Sequence, residues 1–229
     1  MISYLSRTTT RFLLVFDTAL QRIFNLGCIA LMVFGIAACA PTRPAIDTAN
    51  WLVLPERSGP ARQMQSDLWL KIGAFSVAPP FDGKSLVYRV GDQRYEKDFY
   101  NAYITLPSDM ISNATRQWLN RSGIFRIAVG QGSSFFPYYT LQASVDELYG
   151  DYRAKPEAVV SIQFFLTVTN ANSKNPLITT RRFTKRIALP DNTPQALVLG
   201  QQQALAEILQ QFEADVFASS AHLPKPIKQ

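Results

Sequence analysis

The stretch AVVSIQFFLTVT, residues 158–169, sets an apolar row, Ala158, Val160, Ile162, Phe164, Leu166 and Val168, against Ser161, Gln163 and Thr167. Successive side chains of an extended chain point to opposite faces, so a period of two sustained over the whole stretch predicts a strand with one face in a core. The turn formers of residues 170–176 follow, and residues 177–189 return as the second arm of a hairpin.

Outward from this hairpin the pattern changes period. Thr193-Pro194 reads as an N-cap followed by proline at the first helical position. Leu197, Ala204, Leu205, Ile208, Leu209, Phe212 and Val216 then form one helical stripe, while Gln202, Gln203, Gln210 and Glu213 are expected to face solvent. Residues 219–229 hold two prolines and His222, the only histidine, and read as a flexible tail. On the N-terminal side, Tyr139, Leu141, Ala143 and Val145 alternate as a strand, and residues 125–129 form a shorter one. A helix starts near Pro107 with Ser108 as its expected cap, carries Ile111, Ala114, Thr115, Trp118 and Leu119 inward, and stops at Gly123. Earlier still, residues 86–95 read as a hairpin. Leu68, Leu70, Ile72 and Ala74 share one face of a strand that ends at Pro79-Pro80. The expected fold is α+β: a two-layer sandwich of a mainly antiparallel sheet with two amphipathic helices on one face, over residues 67–218.

The N-terminal region has a different character. From Leu26 to Ala40 the chain carries no charge, yet this run is shorter than the roughly 20 apolar residues of a membrane span. It ends in Ile36-Ala37-Ala38-Cys39, an aliphatic residue, two small ones and a cysteine, which is the pattern of a bacterial lipobox. The small side chains let a signal peptidase reach the peptide bond, and the Cys39 thiol is the nucleophile that takes up a diacylglyceryl group. Residues 1–38 are therefore expected to be a lipoprotein signal peptide, with an uncleaved anchor helix as the alternative. Residues 39–66, with prolines at 41, 44, 55 and 60, are expected to be a lipidated tether with a short strand at 51–54. The segment before the apolar run is long and contains Asp17, which leaves the true start codon open.

Composition limits the chemistry. The net charge of +6 is not concentrated in any run of five or six basic residues, which argues against nucleic acid as a partner. Cys28 would leave with the signal peptide. One histidine in a tail and no free cysteine give no basis for His/Cys metal sites or for Ser–His or Cys–His catalysis. Neither G-x-S-x-G nor G-x-x-x-x-G-K-[ST] occurs, and Gly130-Gln131-Gly132 lacks the third glycine of a dinucleotide loop. No catalytic residue, metal or cofactor is expected. A surface that binds a partner is expected instead, with two candidates: the basic strand Arg181, Arg182, Lys185 and Arg186, and the aromatic corner Tyr100 and Tyr103. A solvated, edge-protecting strand is the plainer reading of the four cations.

Several segments recur in a familiar order: Trp51-Leu52-Val53-Leu54-Pro55, Leu70-Lys71-Ile72, Leu86-Val87-Tyr88-Arg89, Tyr100-Asn101-Ala102-Tyr103, Arg121-Ser122-Gly123-Ile124-Phe125 and the C-terminal amphipathic helix. In this the chain resembles the ABC-type transport auxiliary lipoprotein family, whose better-known members accompany MCE-domain lipid transporters of the paraquat-inducible type. Where members commonly show Asn-Arg-Trp, this chain has Asn101-Ala102-Tyr103, keeping an aromatic and losing the arginine. The resemblance implies a non-catalytic envelope lipoprotein that docks an MCE-type substrate-binding protein, with ATP hydrolysis on a separate permease–ATPase assembly. Ala40 after Cys39, by resemblance to Gram-negative lipoproteins, implies sorting to the outer membrane, facing the periplasm. The alternatives are an adaptor for outer-membrane or cell-wall assembly and, less favoured, an envelope hydrolase.

Overall fold

A computed structural model of the chain describes residues 48–62, 68–168 and 177–224. The lipobox with Cys39, the signal segment, the expected hairpin turn at 170–176 and the end of the tail lie outside the described residues. Eight strands form one sheet: β1 (Ala49–Trp51), β2 (Trp69–Val77), β3 (Ser85–Arg89), β4 (Tyr95–Tyr103), β5 (Ile127–Val129), β6 (Tyr139–Asp151), β7 (Glu157–Val168) and β8 (Leu177–Ala188). Among the described residues two helices accompany them, α1 (Pro107–Ser122) and α2 (Pro194–Ser219), and a short 3-10 turn follows at Ser220–His222.

The strand expected at residues 158–169 is β7, and its apolar row is buried as expected. It pairs antiparallel with β6 on one side and β8 on the other, in the longest ladders of the sheet. The expectation of a mainly antiparallel sheet is corrected elsewhere. β1 runs parallel to β4, β2 runs parallel to both β5 and β6, and β3 runs parallel to β6, so four of the seven pairings are parallel and the fold is mixed α/β. Parallel neighbours need a long crossover, and here α1 lies in the connection from β2 to β5. β6 has three neighbours: β7 along one edge, and on the other β2 over Tyr139–Val145 and β3 at Gly150 and Asp151.

Local corrections have local causes. A bulge between Ile72 and Phe75 reverses the facing of β2, so Phe75 is buried where Ala74 was expected. The N-cap of α1 is Leu106 without a side-chain bond; Pro107 opens the helix, and Ser108 does not cap it. Gly123 does take the left-handed conformation, with φ of 74°, and an added Cβ would lie 2.4 Å from the Arg62 carbonyl oxygen. Thr193 caps α2 as expected, accepting from the Ala196 amide.

Both helices pack on the sheet. Ile111, Ala114, Trp118 and Leu119 of α1 are buried, as are Leu197, Leu205, Ile208 and Phe212 of α2. Phe212 stacks on Phe164 of β7 at 4.4 Å between ring centroids and meets Phe183 of β8 edge-on. Gly200 brings α2 close to β7, since a Cβ there would lie 2.8 Å from that of Ala158. The tail is partly tied down: Leu223 is buried, and the Tyr139 hydroxyl donates to the Pro224 carbonyl. Among the described residues, no helix is long and apolar enough to cross a membrane.

Candidate functional site

The segment expected to be a tether is a strap over the helices in residues 52–62. Its short strand lies at Ala49–Trp51 and not at 51–54. Val53 is buried, and its amide donates to the Met110 sulfur of α1. Arg57 places Nε and Nη2 on the two oxygens of Glu213 in α2, both at 2.9 Å, and Arg62 Nε reaches the same carboxylate at 2.9 Å. Trp118 of α1 donates its indole N–H to Glu213 at 2.8 Å, and the Arg62 amide bonds the Ser122 carbonyl at the end of α1. Glu213, expected to face solvent, is only 3% exposed because two guanidinium groups and an indole replace its water. The strap, both helices and one carboxylate thus form a single junction.

The basic strand is not a free cationic face. Along β8 the side chains alternate between the two sides of the sheet. Arg181 pairs with Asp215 at 3.6 Å and Lys185 with Glu207 at 3.3 Å, both acids on α2. On the other side, Arg182 pairs with Asp146 at 3.0 Å and also donates to Gln163. Arg186 bonds Asp151 and Glu157, both at 2.7 Å. Asp151 also accepts a two-pronged contact from Arg153, and these guanidinium groups hold its carboxyl far below the usual range against the opposing effect of burial. Among the described residues β8 pairs only with β7, so the cations line a sheet edge with their charges already matched, which is the plainer of the two readings. Arg186→Glu is expected to destabilise the domain, because it sets a third carboxylate against the buried Asp151 and the half-buried Glu157. Arg182→Glu, at a half-exposed position, is expected to shift stability little, and thermal melts of the two variants side by side check this.

The aromatic corner divides. Tyr103 is 2% exposed and donates to Gln201 of α2 at 2.7 Å, so it belongs to the core and cannot meet a partner; this corrects its assignment to a binding surface. Burial pushes its hydroxyl well above the ordinary tyrosine range. Tyr100 is exposed, and beside it Phe99, which the sequence reading passed over, is 92% exposed. Both sit in a wide bulge of β4, between the pairs Val87–Lys97 and Ser85–Ala102. Asp98 holds the neck of the bulge. One of its oxygens accepts the amides of Tyr100 and Asn101, and the other accepts the Tyr88 hydroxyl at 2.6 Å and the Asn101 side-chain amide. Trp51 of β1 donates in turn to Asn101.

A second exposed aromatic group lies at the β5 edge: Phe136 is 85% exposed, Phe135 packs edge-on against Trp69 at 5.9 Å, and Ile127 is next to them. The Lys71 ammonium sits 5.6 Å from the Phe136 ring centre. Between β2 and α1 lies a polar cleft of about 160 Å³ lined by Gly73, Ser108, Asp109, Ser112 and Arg116. Ligand pockets commonly run to ~300–1,000 Å³, so this cleft is too small for a lipid-sized molecule. Among the described residues no group of three His, Cys, Asp or Glu side chains is placed to hold a metal.

These surfaces sit on a sheet–helix body whose buried carboxylates, Glu213 and Asp151, are engaged by arginines. The chain belongs to the family of ABC-type transport auxiliary lipoprotein components, whose model matches residues 52–212. Two solved structures share the fold. Protein XCC0632 from Xanthomonas campestris, of the DUF330 family, superimposes with a TM-score of 0.61 at 14% identity, covering 76% of this chain and 95% of its own. An uncharacterised protein superimposes with a TM-score of 0.59 at 16% identity, covering 74% of this chain and 99% of its own. Comparison with curated proteins finds no match. The family places the chain among lipoproteins of the bacterial envelope, associated with an ABC transport system.

Proposed function

We propose that this protein is a non-catalytic, lipid-anchored accessory of an MCE-linked ABC system that moves lipid or another hydrophobic compound. Residues 1–38 act as its signal peptide, Cys39 carries the acyl anchor, and the domain stands at the outer membrane facing the periplasm. There it docks the MCE-type substrate-binding protein, while a separate permease and ATPase supply the energy. The observation that carries this reading is the family match, which runs from the strap through α2 to Phe212. The lipobox Ile36-Ala37-Ala38-Cys39 supports the anchor. Trp69, Phe135 and Phe136 supply the docking face better than β8 does, since the β8 cations are already engaged and exposed aromatic side chains dominate many interfaces.

Two measurements test the proposal. Cys39→Ser is expected to leave an unprocessed precursor and to abolish recovery of the mature protein with outer-membrane fractions; normal processing of that variant refutes the anchor. In a titration against the cognate MCE-type protein, Phe135→Ser with Phe136→Ser is expected to weaken binding at least tenfold, and Arg182→Glu to change it little. Absence of binding by the folded wild type refutes the transport assignment.

A further inference from the structure

The anchor and the described chain meet at a defined place. Thr48 is the first described residue, and β1 pairs parallel with β4 in the register Ala49–Asn101 and Trp51–Tyr103, which sets Thr48 beside Tyr100. Residues 40–47 separate it from Cys39, and at 3.3–3.6 Å per residue they reach at most about 30 Å. The surface around Thr48 therefore lies within that distance of the lipidated cysteine.

That surface gathers six of the thirteen exposed large hydrophobic side chains among the described residues. Leu52, Leu54, Phe99, Tyr100, Ile104 and Leu106 are all exposed, and they lie on two neighbouring pieces of chain joined by the bond from the Ile104 amide to the Trp51 carbonyl. Phe99 and Tyr100 protrude from the bulge, which the four hydrogen bonds to Asp98 hold in one shape, so little ordering is needed on contact. Lys84 and Lys97, both exposed, flank the bulge, and Glu96 next to Lys97 is already paired with Arg94. Exposed aromatic rings bordered by lysine suit the boundary between lipid headgroups and acyl chains, where a ring is half desolvated and an ammonium meets phosphate.

We infer that the Phe99–Tyr100 bulge, with the apolar rim formed by Leu52 and Ile104, rests in the headgroup layer of the membrane that holds the acyl anchor. The contact gives the domain a fixed orientation and leaves the Phe135–Phe136 edge free for a protein. It rests on the Cys39 anchor proposed above. A lipid attachment at Cys39 alone sets no orientation of the domain; a second, protein-borne contact on the same bilayer sets one, and it forms at a high effective concentration.

The test uses the full-length lipoprotein, purified from membranes and reconstituted into vesicles of phosphatidylethanolamine and phosphatidylglycerol. A fluorophore is attached at Lys97→Cys, next to the bulge, or at Ser134→Cys, next to Phe135, and a nitroxide-headgroup phospholipid serves as quencher. Quenching at the Lys97→Cys site is expected to exceed that at the Ser134→Cys site at least threefold, and to be lost when Phe99→Ser and Tyr100→Ser are added. The variants should still float with the vesicles. Equal quenching at the two sites, or quenching unaffected by the double substitution, overturns the contact while leaving the anchor intact. Shielding that appears only on adding the MCE-type protein assigns the bulge to that partner and also overturns it. Wild-type protein that fails to float with the vesicles refutes the anchor, and the contact falls with it.

Discussion

Glu213→Ala is expected to be among the most damaging single substitutions in the domain, lowering stability by about 3–5 kcal/mol and the melting temperature by roughly 10 °C. The cost arises from what is left behind. The Arg57 side chain is 7% exposed and would lose both carboxylate contacts, Arg62 would lose its own, and the buried Trp118 indole N–H would have no acceptor. Breaking one side of a buried pair strands the opposite charge, which is worse than never having buried it. Release of the strap should appear as new proteolytic cleavage within residues 56–62. Glu213→Gln, which keeps an acceptor of the same shape, is expected to lose less. The pH response has a definite sign. Burial works against the Glu213 charge, but hydrogen bonds from Arg57, then Arg62 and Trp118, outweigh it and hold its pKa below the ordinary glutamate value. The stabilisation is therefore fully present above about pH 4.3, the value in an unfolded chain, and is lost as pH falls through the lower folded value. Calorimetric melts from pH 7 down to pH 3 should show the wild type losing more of its melting temperature than Glu213→Gln does. Parallel curves would remove Glu213 from the acid response.

Phe212→Ala is the second large loss expected, also about 3–5 kcal/mol. Phe212 is buried between α2, β7 and β8, stacked on Phe164 and edge-on to Phe183. Truncation removes both ring contacts and leaves a cavity between rigid walls that cannot close without bending β7. Phe212→Leu, which fills most of the space, should recover more than half of the loss. A melting temperature unchanged in Phe212→Ala would contradict the packing of α2 on this part of the sheet.

The helices and the long strands were legible because burial writes a period into sequence. The stripe of α2, the alternation of β6 and β7 and the caps at Thr193 and Gly123 are all local. Strand direction is not local. Alternation says which face of β2 or β3 is buried and is silent on whether its neighbour is the next strand or β6, many residues away, so the parallel pairings were missed. Bulges erased the signal in two places, exchanging Ala74 for Phe75 and pushing Phe99 outward from a strand whose sequence shows no break. Charge was misread for a related reason. Four cations on β8 look available in sequence because their partners, Asp146, Asp151, Glu207 and Asp215, come from two other elements, β6 and α2. Glu213 looked like a surface residue because nothing near it in the chain announces Arg57, although an acid one position after a buried aromatic in a long stripe is a place where such a partner can be sought.

The strap also dictates an order of events during synthesis. Arg57 and Glu213 are 156 positions apart, so a chain made from its N-terminus presents the arginine long before its carboxylate exists. Contacts of such separation carry a large closure entropy and form late. Until α2 has emerged and docked, Arg57 and Arg62 lack their carboxylate, and Trp118 has no acceptor for its N–H. The N-terminal segment is thus the first part of the domain to be made and among the last to be locked. A chain that lost its final helix would lack the carboxylate that fastens Arg57 and Arg62.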